Sequence, residues 1–96
     1  MAENKIIKKM KEYKKKSVYR NNIIALGVFG SYSIGNFNKK SDIDVFVQLE
    51  KARMFDLIGI KHDLEKILGK KVDIVALRES MNEYLKNQIK QNGQYV

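Results

Sequence analysis

Three aspartates are the residues of this chain best suited to chemistry: Asp42 and Asp44 in GSYSIGNFNKKSDIDV (residues 30–45), and Asp73 in KVDIVAL (residues 71–77). In DIDVFVQL, residues 42–49, hydropathy alternates with period two, so that Ile43, Val45, Val47 and Leu49 face one way and Asp42, Asp44, Phe46 and Gln48 the other. In KVDIVAL the same alternation puts Asp73, Val75 and Leu77 on one face and Val72, Ile74 and Ala76 on the other. Residues two apart on a strand have Cα atoms roughly 6.5–7 Å apart, so Asp42 and Asp44 can converge on one ion. Crowded carboxylates repel, and desolvation drives them toward the protonated form, a cost that a divalent cation removes. Donor sets made only of oxygen suit Mg²⁺ or Mn²⁺, which keep several waters and complete their shells with substrate phosphates. A nucleoside triphosphate is the guest such a site would take.

A second feature points to phosphate. Gly30-Ser31 closes the apolar run IIALGVFG, residues 23–30, and ten residues separate it from Asp42. A residue without Cβ lets a phosphate approach the backbone, while the serine hydroxyl and the N–H groups of a following helical turn donate to its oxygens. The elements needed to bring these features together are legible in the pattern. Residues 4–20 carry Ile6, Ile7, Met10, Tyr13, Ser17 and Val18 at helical spacing between lysines, which predicts an amphipathic helix. Residues 23–30 read as a first strand, 31–41 as a polar loop opening with a helical turn at Ser31, and 42–49 as a second strand. From Ala52 to Leu68, the positions Met54, Leu57, Ile58, Leu64, Ile67 and Leu68 predict a helix stopped by Gly69. Residues 71–77 form a third strand, and Ser80 with Glu83 makes a capping box for a last helix that turns Met81, Tyr84, Leu85 and Ile89 inward and ends at Gly93.

The expected fold is α/β (α+β): a small mixed sheet with flanking helices, in the order α-β-α-β-α-β-α. The helix joining the second and third strands predicts that they run parallel, with their beginnings at one margin. An antiparallel first strand would then deliver Gly30-Ser31 beside the three acids.

Bulk composition narrows the function classes. At 96 residues, 44% hydrophobic, with no internal repeat, the chain predicts one domain spanning residues 1–96. No apolar run reaches a membrane span, and the N-terminus MAENKIIKKMKEYKKK lacks the pattern of a signal peptide, so a cytoplasmic protein without membrane association is expected. Cysteine is absent and His62 is the single histidine, which excludes disulfides, thiolate chemistry and multi-histidine metal clusters. Of the net charge of +8, residues 1–20 contribute +6, from eight Lys or Arg against Glu3 and Glu12. Such a run reads first as a solvated helix face and secondarily as a nucleic-acid footprint, which makes nucleic acid a possible but not favoured partner. His62 reads as a half-exposed helix residue, and Tyr13, Tyr19, Tyr84 and Tyr95 as packing or rim residues.

With Gly30-Ser31, ten residues, Asp42-Ile43-Asp44 and then Asp73, the chain resembles the minimal nucleotidyltransferases (MNT) of the DNA polymerase beta superfamily, over nearly its whole length. The resemblance implies that Asp42 and Asp44 bind two Mg²⁺ ions (Mn²⁺ in their place), and that Asp73 binds the catalytic one and positions or deprotonates the attacking hydroxyl. It also implies that Gly30, Ser31 and Ser41 contact the nucleotide. Where the family usually has an arginine before its second glycine, this chain has Ile34 before Gly35, and Lys39 and Lys40 in the same loop are the candidate cations in its place. The small members that this chain resembles are antitoxins paired with a HEPN-domain RNase toxin, and they transfer AMP from ATP to a tyrosine of that partner. The implied activity is therefore an Mg-dependent protein adenylyltransferase, with the basic first helix and KNQIKQNGQYV (residues 86–96) as docking surfaces. The alternatives are an antitoxin that neutralises its partner by binding alone, and a small-molecule nucleotidyltransferase completed by dimerisation.

Overall fold

The computed structural model describes residues 4–29, 42–78 and 83–96. Its elements are α1 (Asn4–Lys16), β1 (Ile23–Phe29), β2 (Ile43–Leu49), α2 (Met54–Leu68), β3 (Val72–Ala76), α3 (Glu83–Asn92) and β4 (Gln94–Tyr95). The strands form one mixed sheet in the order β3-β2-β1-β4. β2 and β3 pair parallel, as the helical crossover between them predicts, and β1 and β2 pair antiparallel.

Alternation along the strands builds a core on each face. Ile43, Val45 and Val47 of β2, with Leu26 and Val28 of β1, are fully buried against Met10 of α1 and Ile60 and Leu64 of α2. On the opposite face Phe46 is fully buried between Phe29 and Ile89 of α3, with Val75 and Leu77 alongside. The Phe46 ring also meets Tyr95 edge-on, with centroids 4.9 Å apart. Through Val45, Phe46 and Val47 both faces of β2 are thus packed, as a central strand requires.

The helices differ from expectation in three instructive ways. α1 ends at Lys16 rather than continuing to residue 20, because the Ser17 hydroxyl accepts the Tyr19 N–H (2.9 Å) and closes a local turn. Val18, expected on the inward stripe, is consequently 81% exposed. In α2 the inward stripe runs through Leu57, Ile60, Leu64 and Leu68, whereas Met54, Ile58 and Ile67 lie on the exposed side. The helix carries two overlapping apolar stripes at similar spacing, and only the sheet selects between them. In α3, Ile89 is buried as expected but Tyr84 is 69% exposed; Ser80, Met81 and the Leu85 side chain lie outside the described residues.

α1 is tied to α2 by the buried Tyr13, whose hydroxyl donates to Asp63 Oδ2 at 2.7 Å. Burial, with a smaller contribution from Asp63, pushes the Tyr13 phenol above its ordinary range and keeps it a donor. Gly69, at φ 70°, caps α2 in the left-handed conformation, as its position after Leu68 predicts. Among the described residues, no helix is long and apolar enough to cross a membrane.

β4 is an addition to the expected order. Tyr95 and Gln94 pair with Gly27 and Val28, and the Val96 N–H continues the ladder to the Leu26 carbonyl at 2.8 Å. Gly27 makes this possible, since a Cβ there would meet the Gln94 carbonyl oxygen and the Phe46 ring. Gly27→Ala is therefore expected to destabilise the fold by about 1–3 kcal/mol, the range for overpacking a dense interior. A urea melt would show a lower midpoint; a variant as stable as the parent would mean that β4 contributes no packing to the sheet.

Candidate active site

The register of the parallel pair decides where the acids lie. Ile43 pairs with Val72, Asp44 with Asp73, and Val45 with Ile74. Side chains at paired positions of parallel strands share a face, and neighbouring backbones are about 4.8 Å apart, so Asp44 and Asp73 stand side by side on the α3 face. Across β2 from Asp73, Asp44 pairs with Phe29, the last residue of β1. Asp42 sits just ahead of β2, where the chain begins its extended run. The three predicted acids thus gather at one margin of the sheet.

Their surroundings are uneven. Asp42 and Asp73 are exposed, while Asp44 is half-buried beside the fully buried Phe46. Burial pushes the Asp44 carboxyl above its ordinary value, and the charges of Asp73 and then Asp42 push it the same way. The crowding expected from their spacing is present. Even so, among the described residues no group of three carboxylate or imidazole side chains forms a site able to hold a metal ion. Two facing acids with a third in electrostatic range are an open, all-oxygen set. Such a set fits a hard divalent cation that keeps waters and takes its remaining ligands from a substrate.

The α2-β3 connection holds β3 in register. Glu65 Oε2 accepts the Val72 N–H (3.0 Å), and the Glu65 carbonyl accepts the Gly69 N–H (2.9 Å). The Ile43 N–H donates in turn to the Lys71 carbonyl (3.0 Å). Glu65 was not legible as a site residue, because an acid four positions before a glycine stop reads as ordinary helix surface. Lys61 and Lys71 escaped notice as well. With Glu65, Lys70, Asp42 and Asp73 they line a cleft of about 620 Å³ beside the acids. The nucleotide contacts expected at Gly30, Ser31, Lys39, Lys40 and Ser41, and the departure at Ile34, lie outside the described residues. His62 lies on α2, as its place between the second and third strands predicts, and is exposed there rather than half-exposed.

Comparison with known proteins bears on what the geometry is for. Residues 3–96 match the family model described as a nucleotidyltransferase domain. A Methanocaldococcus jannaschii protein named as a protein adenylyltransferase is 30% identical over 90 residues, which cover 91% of this chain and 90% of that one. A chain of a toxin-antitoxin complex crystallised with AMP-PNP superposes with a TM-score of 0.75 at 26% identity, over 92% of this chain and 69% of that one. A chain from the complex of tri-AMPylated Shewanella oneidensis HEPN toxin with MNT antitoxin does so with a TM-score of 0.65 at 25% identity, over 91% and 66%.

The crowding at Asp44 has a measurable sign. Its carboxyl titrates higher in the folded than in the unfolded chain, so its contribution to stability is fully present below the unfolded pKa and is lost as pH rises through the folded one. Asp44→Asn, neutral throughout, is therefore expected to raise Tm at about pH 7 in chelator, with the gain shrinking toward about pH 4. A variant less stable than the parent at neutral pH would show that neither burial nor the neighbouring charges penalise the Asp44 carboxylate.

Proposed function

The chain belongs to the nucleotidyltransferase domain family, and on that footing we propose that it transfers AMP from ATP to a tyrosine hydroxyl of a partner HEPN toxin. The observation that carries this reading is the pairing of Asp44 with Asp73, next to the end of β1 and with Asp42 close by. The relatives support the choice of nucleotide, acceptor class and partner. One is named as a protein adenylyltransferase, one complex was crystallised with AMP-PNP, and one contains a HEPN toxin carrying AMP.

In this proposal the acceptor oxygen attacks the α-phosphorus, the bond between the α-phosphorus and the bridging oxygen breaks, and pyrophosphate leaves. Asp73, exposed at the margin, would orient the hydroxyl and take up its proton. Asp42 and Asp44, with Asp73, would hold two Mg²⁺ ions, or Mn²⁺. Such ions supply charge neutralisation on the triphosphate and a lower pKa for the attacking hydroxyl. Gly30, Ser31 and Ser41 are the proposed nucleotide contacts, with Lys39 and Lys40 standing in for the arginine that Ile34 replaces. What the chain itself contributes is orientation. Strand register sets the spacing of the acids, and the packed Phe46 layer beneath holds Asp44 against a rigid floor.

The test is transfer itself: purified protein, Mg²⁺, ATP labelled at the α-phosphate, and a HEPN-domain toxin as acceptor. Label should appear on a tyrosine of the partner, and Asp44→Ala or Asp73→Ala should lower the rate by roughly 10²–10³-fold or more, as loss of a group that stabilises developing charge does. Tight complex formation without label, unaffected by either substitution, would replace transfer with neutralisation by binding alone.

A further inference from the structure

The acid row has two flanks of different character. On one, Phe29 of β1 stands beside Asp44 and leads directly into Gly30-Ser31, the proposed triphosphate side. On the other, where the chain enters β2 and β3, lies the cleft of about 620 Å³ lined by Asp42, Lys61, Glu65, Lys70, Lys71 and Asp73, which runs from the acids around the sheet margin to α2. Lys61 comes from α2 and Lys71 is the residue that leads into β3, so cations reach this cleft from two parts of the chain. Within the cleft three lysines face three acids, and further lysines lie beyond it. Lys9 Nζ reaches the Ile67 carbonyl at 3.4 Å, which sets the lysine face of α1 against the last turn of α2, where Lys66 is exposed.

We propose that this cleft is the acceptor subsite and that Lys61 and Lys71 select an acceptor hydroxyl flanked by carboxylates on a protein segment. The inference rests on the transfer reading above, and adds to it the chemical character of the acceptor. Two aspartates that must approach an incoming chain would repel its acidic side chains, and the lysines on the same wall reverse that field at short range. Lysine suits the task, because its ammonium swings on a flexible stem and meets carboxylates at variable positions. A single-stranded nucleic acid is the poorer fit. Sites for it pair a cationic groove with aromatic platforms for the bases, and no aromatic ring lines this cleft.

The experiment uses fluorescein-labelled tyrosine peptides flanked by glutamates, glutamines or lysines, with anisotropy read without ATP or divalent ions. The glutamate-flanked peptide should bind about tenfold more tightly than the glutamine-flanked one, the sum of a few exposed ion pairs, and the advantage should fade with salt. Lys61→Glu and Lys71→Glu should abolish the preference, while Lys51→Glu, exposed beyond the other end of β2, should leave it intact. With ATP and Mg²⁺ present, Lys71→Ala should raise KM for the acidic peptide and leave KM for ATP unchanged. Equal binding of all three peptides, or equal sensitivity to Lys51→Glu, overturns the inference. So does an oligouridylate of matched charge that binds more tightly through the same lysines. Peptide labelling that ignores Lys61 and Lys71 sinks the subsite but leaves transfer standing. Acidic selectivity without any labelling does the reverse.

Discussion

Everything at the candidate site depends on the register between β2 and β3. Because side chains alternate, a slip of one residue would turn Asp73 toward the α1-α2 face and dissolve the acid row. What forbids the slip is packing on both faces at once. Val72 and Ile74 belong with Ile43 and Val45 in one core, while Val75 and Leu77 belong with Phe46 in the other. Burying each such side chain contributes about 1.5–3 kcal/mol, so a shifted register would forfeit several of these together. The Glu65 bridge to Val72 pins the same register from the helix side.

The site is therefore held by forces unrelated to its charges, which themselves oppose the arrangement. Asp44 is half-buried, faces Asp73 and feels Asp42, and its carboxyl is pushed toward protonation as a result. A fold secured by apolar packing can tolerate that local cost, and such opposition between charge and burial is a common mark of functional sites. The lysines and acids that line the cleft at the sheet margin form a surface of alternating sign, a better device for choosing partners than either sign alone.

The rest of the small structure serves to keep this sheet rigid. β4 extends the sheet past β1 and lays Tyr95 on Phe46, and the Lys14 ammonium donates to the Val96 carbonyl at 3.0 Å, tying α1 to the C-terminal residues. The Tyr13 to Asp63 hydrogen bond joins the two helices on the other face. Phe55 remains 87% exposed and Met54 64% exposed at the start of α2, away from the acids.

Much of this was legible in the residues alone. Period-two alternation assigns the faces of β2 and β3, the intervening helix implies parallel pairing, and together these put Asp44 and Asp73 on one side. Such inferences succeed because alternation and crossover geometry are local or nearly so. Folding alone decided the rest: which of two apolar stripes on α2 turns inward, that α1 stops at the Ser17 turn, that Gln94 and Tyr95 become a strand, and that Glu65, Lys61 and Lys71 meet the acids. Each of these depends on a surface contributed by residues distant in the chain. A helix cannot choose its buried side, nor a two-residue strand exist, until the sheet against which it packs is in place.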